Sequence, residues 1–70
     1  MNSVYDVQQL LKRFGILIYV GERQADLELM ASEVKELYKS QLIDVKVFQM
    51  AIGILRSEIA IEKEKKDRAR

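Results

Sequence analysis

Apolar residues near the start of the chain recur at three- and four-residue spacing: Val4, Val7, Leu10, Leu11 and Phe14. That period predicts a helix over about residues 4–14 with one apolar face. Ser3 and Asp6 form a Ser-x-x-Asp variant of the capping box, in which the hydroxyl can accept from the backbone of residue 6. Lys12 and Arg13 fall in the last turn, where cations suit the negative end of the helix dipole. Gly15 follows at the usual position of a left-handed C-cap.

A second stripe, Leu27, Met30, Val34, Leu37 and Tyr38 with Ala31 alongside, predicts a helix over about 23–40. Glu22, Asp26 and Glu28 crowd its first turns and favour the positive helix end. The connection "SQLID" is short, which makes the second and third helices antiparallel neighbours. Asp44 is placed to cap a third helix over about 45–66. Its apolar residues spread over an arc of roughly 200°, wider than an ordinary surface helix needs. They divide into Phe48, Ile52, Leu55 and Ile59 on one side, and Val47, Met50, Ile54 and Ile61 on the other. Two readings stand level: both sub-faces are buried in a groove between the other helices, or the second one self-associates with another chain.

Helix length adds a further expectation. At about 1.5 Å per residue the third helix outreaches the second by roughly 10 Å, so residues 62–70, "EKEKKDRAR", form a projecting charged end. Glu62 with Lys66, Lys63 with Asp67 and Glu64 with Arg68 are i,i+4 opposite-charge pairs, each contributing a few tenths of a kcal/mol at most.

The stretch "GILIYVGER", residues 15–23, breaks the helical pattern. As a strand it has no partner elsewhere in the chain. As a continuation of the first helix it would put Gly15 mid-helix at a cost of about 1 kcal/mol. The preferred reading is an extended apolar crossing over 15–21 that covers one end of the bundle, with Gly15 and Gly21 turning the chain. The architecture expected is therefore all-α: a small three-helix bundle in a single domain, 1–70.

Composition narrows the chemistry. Seventy residues with no cysteine and no histidine exclude disulfides, thiolate metal sites and the commonest general base. Serines 3, 32, 40 and 57 consequently lack a base to activate them, and no enzyme and no cofactor is expected. Glu22, Asp26 and Glu33 share a helix face as a carboxylate-only metal site would, but helix-start acids explain them better, and no metal is expected. No apolar run approaches the roughly 20 residues that span a bilayer. A cytoplasmic setting is the default.

Twelve Lys and Arg against eleven Asp and Glu leave a formal charge of +1, so only the distribution of charge could favour nucleic acid. Lys12 and Arg13 end the first helix, Arg23 opens the second, and Tyr19 lies between them. A crossing that folds back would gather these into a basic patch with an aromatic face on which a base stacks. Lys46, Arg56, Lys63, Lys65 and Lys66 are candidates for a second phosphate-contacting strip. Arg23 stands out because a cation opposes the positive end of a helix dipole.

The ordered set "YDVQQLLK", "FG", "IYVGER", "ADLELM", "EVKELY", "LID" and "ILRSE" resembles the YqgQ-like family, short proteins of low-GC Gram-positive bacteria, over nearly all of residues 5–58. The resemblance implies a three-helix, all-α fold without an established enzymatic activity, for which single-stranded nucleic-acid binding has been suggested. Two departures are visible. Gln41 stands where family members often have Gly, which leaves the end of the second helix less cleanly capped. Val20 stands where they often have Thr, which removes a hydroxyl available to a ligand. The expectation is a non-enzymatic module that binds single-stranded nucleic acid weakly and with little sequence preference. The alternative is a protein-interaction module or homodimer formed through Val47, Met50, Ile54 and Ile61.

Overall fold

The computed structural model describes residues 1–68. Three helices follow one another, α1 (Val4–Arg13), α2 (Arg23–Lys39) and α3 (Val45–Arg68), with no strand among the described residues. The fold is the small all-α bundle expected, with each helix end within two residues of its predicted place. The core is built from Val4, Val7, Leu10 and Leu11 of α1, Leu27, Met30, Val34 and Leu37 of α2, and Ala51, Ile52 and Leu55 of α3. At 10 residues, α1 is too short to hold a helix in water alone, so its packing against α2 and α3 stabilises it.

Caps fix where each helix starts. Asp6 accepts from the N–H groups of Asn2 (2.7 Å) and Ser3 (3.2 Å), closing its half of the capping box. The Asn2 amide is the main reason its carboxyl lies below the usual value. Asp44 accepts from the Val47 amide at 2.8 Å, as an N-cap should.

Both loops begin with the same stop. After α1 the Ile16 amide donates to the Leu11 carbonyl (3.0 Å) and the Gly15 amide to that of Lys12 (2.9 Å), with Gly15 at φ +76°. After α2 the Leu42 amide donates to Leu37 (2.9 Å) and the Gln41 amide to Tyr38 (3.0 Å), with Gln41 at φ +62°. These are Schellman motifs, whose pivot residue must be left-handed. Gln41 therefore carries a strain of about 1–2 kcal/mol that glycine would not, partly offset by glycine's freer unfolded chain. Gln41→Gly is expected to stabilise the protein by up to about 1 kcal/mol, a rise of several degrees in Tm. A melting temperature that falls instead would refute the strain.

The third helix answers the question about its two sub-faces unevenly. Phe48, Ile52, Leu55 and Ile59 turn to the core, and the Phe48 ring stacks on Tyr38 with centroids 4.3 Å apart and planes 14° from parallel. On the other sub-face Val47 and Ile54 are half-buried against the core, while Met50 and Ile61 are each 45% exposed. The groove between helices thus covers one sub-face and the inner half of the other.

Of the charged end 62–70, residues 69 and 70 lie outside the described residues. Glu64 pairs with Arg68 at 2.6 Å as expected. Glu62 pairs with Lys65 (3.3 Å) rather than Lys66, which reaches back to Glu22 at 2.8 Å. The reason is angular: Lys66 lies seven residues after Ile59, on the same side of α3, and so points towards the start of the antiparallel α2. No ion pair joins Lys63 and Asp67 among the described residues.

Candidate nucleic-acid interface

The crossing is extended, and its side chains alternate. Ile16 and Ile18 are half-buried and packed on the core, while Leu17 and Tyr19 are 78% and 88% exposed. That is the period of two expected of an extended chain. Gly15 (φ +76°) and Gly21 (φ +87°) both turn in the left-handed region, which is where their lack of a side chain matters.

Asp26 holds the far end of the crossing. Its side chain accepts from the Val20 amide at 2.7 Å, and the residue is only 8% exposed. The sequence reading of Asp26 as a helix-start acid misses this role, since no local rule links a residue in a loop to one a turn inside the next helix. Glu22 is the N-cap of α2, accepting from the Ala25 amide at 2.6 Å. Its carboxyl is held below the usual value, first by the bond from Lys66 and then by that amide. Two of the three acids of the suggested carboxylate cluster, Glu22 and Asp26, are thus engaged within the protein, and no group of three metal-ligating side chains occurs among the described residues.

Folding back over α1, the crossing creates a groove of about 450 Å³. Gln8, Gln9 and Lys12 line its α1 side; Leu17, Ile18 and Tyr19 line the side of the crossing. Leu11, Ile16 and Met30 complete the lining, and Leu11 and Met30 are fully buried there. The amides of Gln8 and Gln9 make no hydrogen bond among the described residues. Lys12 has no ion-pair partner among them either. Tyr5, exposed and seven residues before Lys12, extends the same side of α1 with a second aromatic ring.

The other candidate residues separate. Arg13 stands about 100° round α1 from Lys12 and lines a different depression, with Asp6 and Gln9. Arg23 is exposed as the first residue of α2 and is not part of the groove lining. Arg56 lines a third depression between α2 and α3, of about 290 Å³, with Lys35, Ser32 and Glu28. Because Met30 belongs to the first groove and Ala31 to this one, the two open on different sides of α2.

Lys46, Arg56, Lys63 and Lys65 are exposed but do not form one strip. Arg56 and Lys63, seven residues apart, share a side of α3; Lys65 stands about 180° from Arg56 and Lys46 about 80°. Lys65 and Lys66 are ion-paired as described. Lys35, which no sequence pattern singled out, is the residue that actually accompanies Arg56.

The model of the YqgQ-like family matches residues 1–61. The chain belongs to this family. A relative from Bacillus subtilis (strain 168), named Uncharacterized protein YqgQ, is 43% identical over 67 residues, which is 96% of this chain and 94% of the relative. The whole groove, from Gln8 to Met30, lies inside the span that the YqgQ-like model matches. Lys63, Lys65 and Lys66 lie beyond it. No helix among the described residues is long and apolar enough to cross a membrane.

Proposed function

We propose that this YqgQ-like protein is a non-enzymatic binding module of the cytoplasm that takes single-stranded nucleic acid, weakly, along the groove between α1 and the crossing. The observation that carries the reading is the convergence of Lys12 and Tyr19 on that groove, with Tyr19 88% exposed. A cation beside an exposed aromatic face is the pairing that single-strand binders use, one for the phosphate and the other for stacking. Arg13 and Arg23, both exposed outside the groove, would add phosphate contacts where the strand leaves it.

The test is fluorescence anisotropy with a labelled single-stranded RNA at two salt concentrations. Three phosphate contacts predict a log–log salt slope near −2, at roughly −0.7 per contact. Tyr19→Ala is expected to weaken binding by about fivefold or more, and Lys12→Ala to flatten the salt slope. An affinity indifferent to salt and to both substitutions would reject the proposal.

A second reading draws on Met50 and Ile61, exposed on the same side of α3 beside half-buried Val47 and Ile54. Those four residues would form a self-association face. Ile61→Glu is expected to dissociate such a dimer without loss of helix content, and a strict monomer at high concentration in a light-scattering measurement would reject this reading.

A further inference from the structure

We infer that the groove between α1 and the crossing seats one unstacked nucleobase, held by its hydrogen-bonding edge through the main chain of Leu17–Tyr19 and the amides of Gln8 and Gln9. This deepens the preceding reading and rests on it: phosphate contact alone would leave most of the groove unused.

Three observations point to a planar heterocycle. The floor is apolar, with Leu11 and Met30 fully buried beneath it, and the walls carry the polar groups of Gln8, Gln9 and Lys12, an arrangement that suits the face and the edge of a flat ring. The volume of about 450 Å³ lies in the range of small-ligand sites. The surrounding polar groups are unused: the N–H groups of Leu17, Ile18 and Tyr19 have no partner within the protein among the described residues, and neither do the Gln8 and Gln9 amides.

In an extended chain successive N–H groups alternate between its two edges, so whichever edge borders the groove presents at least one of the three. A glutamine amide offers a donor and an acceptor side by side. The edges of unstacked bases offer the complementary arrangement and are commonly read in this way in single strands. The crossing keeps these groups in place because it is pinned at both ends, by the Ile16 amide on Leu11 and the Val20 amide on Asp26.

An abasic strand combined with a glutamine variant separates this inference from the one beneath it, since Tyr19 stacking alone also favours a strand that carries bases. The full chain is titrated with a single-stranded oligodeoxynucleotide and with the same sugar-phosphate backbone carrying tetrahydrofuran in place of every base. The intact strand is expected to bind at least about fivefold more tightly. Gln8→Ala with Gln9→Ala should move the affinity for the intact strand towards the abasic value and leave the abasic affinity unchanged. Both positions are exposed on a helix, where alanine is well tolerated, and circular dichroism checks the fold.

In nitrogen–proton correlation spectra the amides of Leu17, Ile18 or Tyr19 should shift with the intact strand and not with the abasic one. Equal, salt-dependent binding of both strands would overturn base seating together with Tyr19 stacking, whereas tighter binding of the intact strand that Gln8→Ala with Gln9→Ala leaves unchanged would overturn base seating alone. Binding of neither strand, with binding of an extended Val-Thr-Val-Thr-Val peptide, would overturn both and assign the groove to strand pairing.

Discussion

Leu55→Ala is expected to leave most of the chain unfolded at room temperature. Leu55 is fully buried at the middle of α3, where the core residues of all three helices meet. Truncating a buried leucine costs about 2–5 kcal/mol, from lost transfer energy and the cavity left behind. A single core in a domain this small supplies only about 3–5 kcal/mol of net stability. The loss therefore matches what is available, and no disulfide can make up the difference because the chain has no cysteine. Thermal melts followed by circular dichroism at 222 nm should show a collapsed or absent transition. Met50→Ala, on the half-exposed sub-face of the same helix, should shift the melt by only a few degrees. A cooperative transition for Leu55→Ala within a few degrees of the parent would mean that α3 does not anchor the core.

The second large effect is expected at Asp26. Removing its carboxylate in Asp26→Ala takes away the acceptor for the Val20 amide and frees the end of the crossing. A hydrogen bond to a charged group is worth about 1.5–3 kcal/mol, and alanine's better helix propensity returns about 0.5 kcal/mol or somewhat more. The net loss is about 1–2.5 kcal/mol, or roughly 5–20 °C in Tm at this size. Asp26→Asn keeps a carbonyl oxygen in place and should recover much of it.

The functional consequence of Asp26→Ala is the more telling one. Asp26 does not line the groove, yet the crossing that walls the groove is fixed at Val20 by this bond. Freed, Ile18 and Tyr19 would lose their position over Leu11 and Met30, and oligonucleotide affinity should fall along with the protection of the Val20 amide from hydrogen exchange. Unchanged exchange at Val20 would show that the crossing is held by Ile16 and Ile18 alone.

The role of Asp26 also shows where sequence reasoning ran out. An acid in the first turn of a helix has a sufficient local explanation in the dipole, and the better one, a bond to an amide six residues earlier, depends on the loop's path. The same holds for Lys66, which has an acceptable i,i−4 partner in Glu62 and yet bonds to Glu22 across the bundle. Tyr19 and Lys12 were legible as a pair only on the condition that the crossing folds back. Gln8 and Gln9 carried no signal, because two glutamines on the polar face of a helix look like solvent-facing residues anywhere.

By itself the sequence determined the three helices, their ends and the class of the fold. Those features follow from short-range causes: apolar period, cap residues, glycine stops and the lack of staples. It also marked residues 15–21 as a crossing, since a lone apolar stretch between glycines has few ways to be covered. Only the tertiary structure decided which cation shares a groove with which aromatic ring. Neighbours in sequence such as Lys12 and Arg13 are parted by about 100° on a helix, whereas Gln8 and Tyr19 come together because Asp26 and the Schellman turn at Gly15 fold the crossing back over α1. A groove is a relation between segments, and its residues carry no shared local pattern from which it could be read.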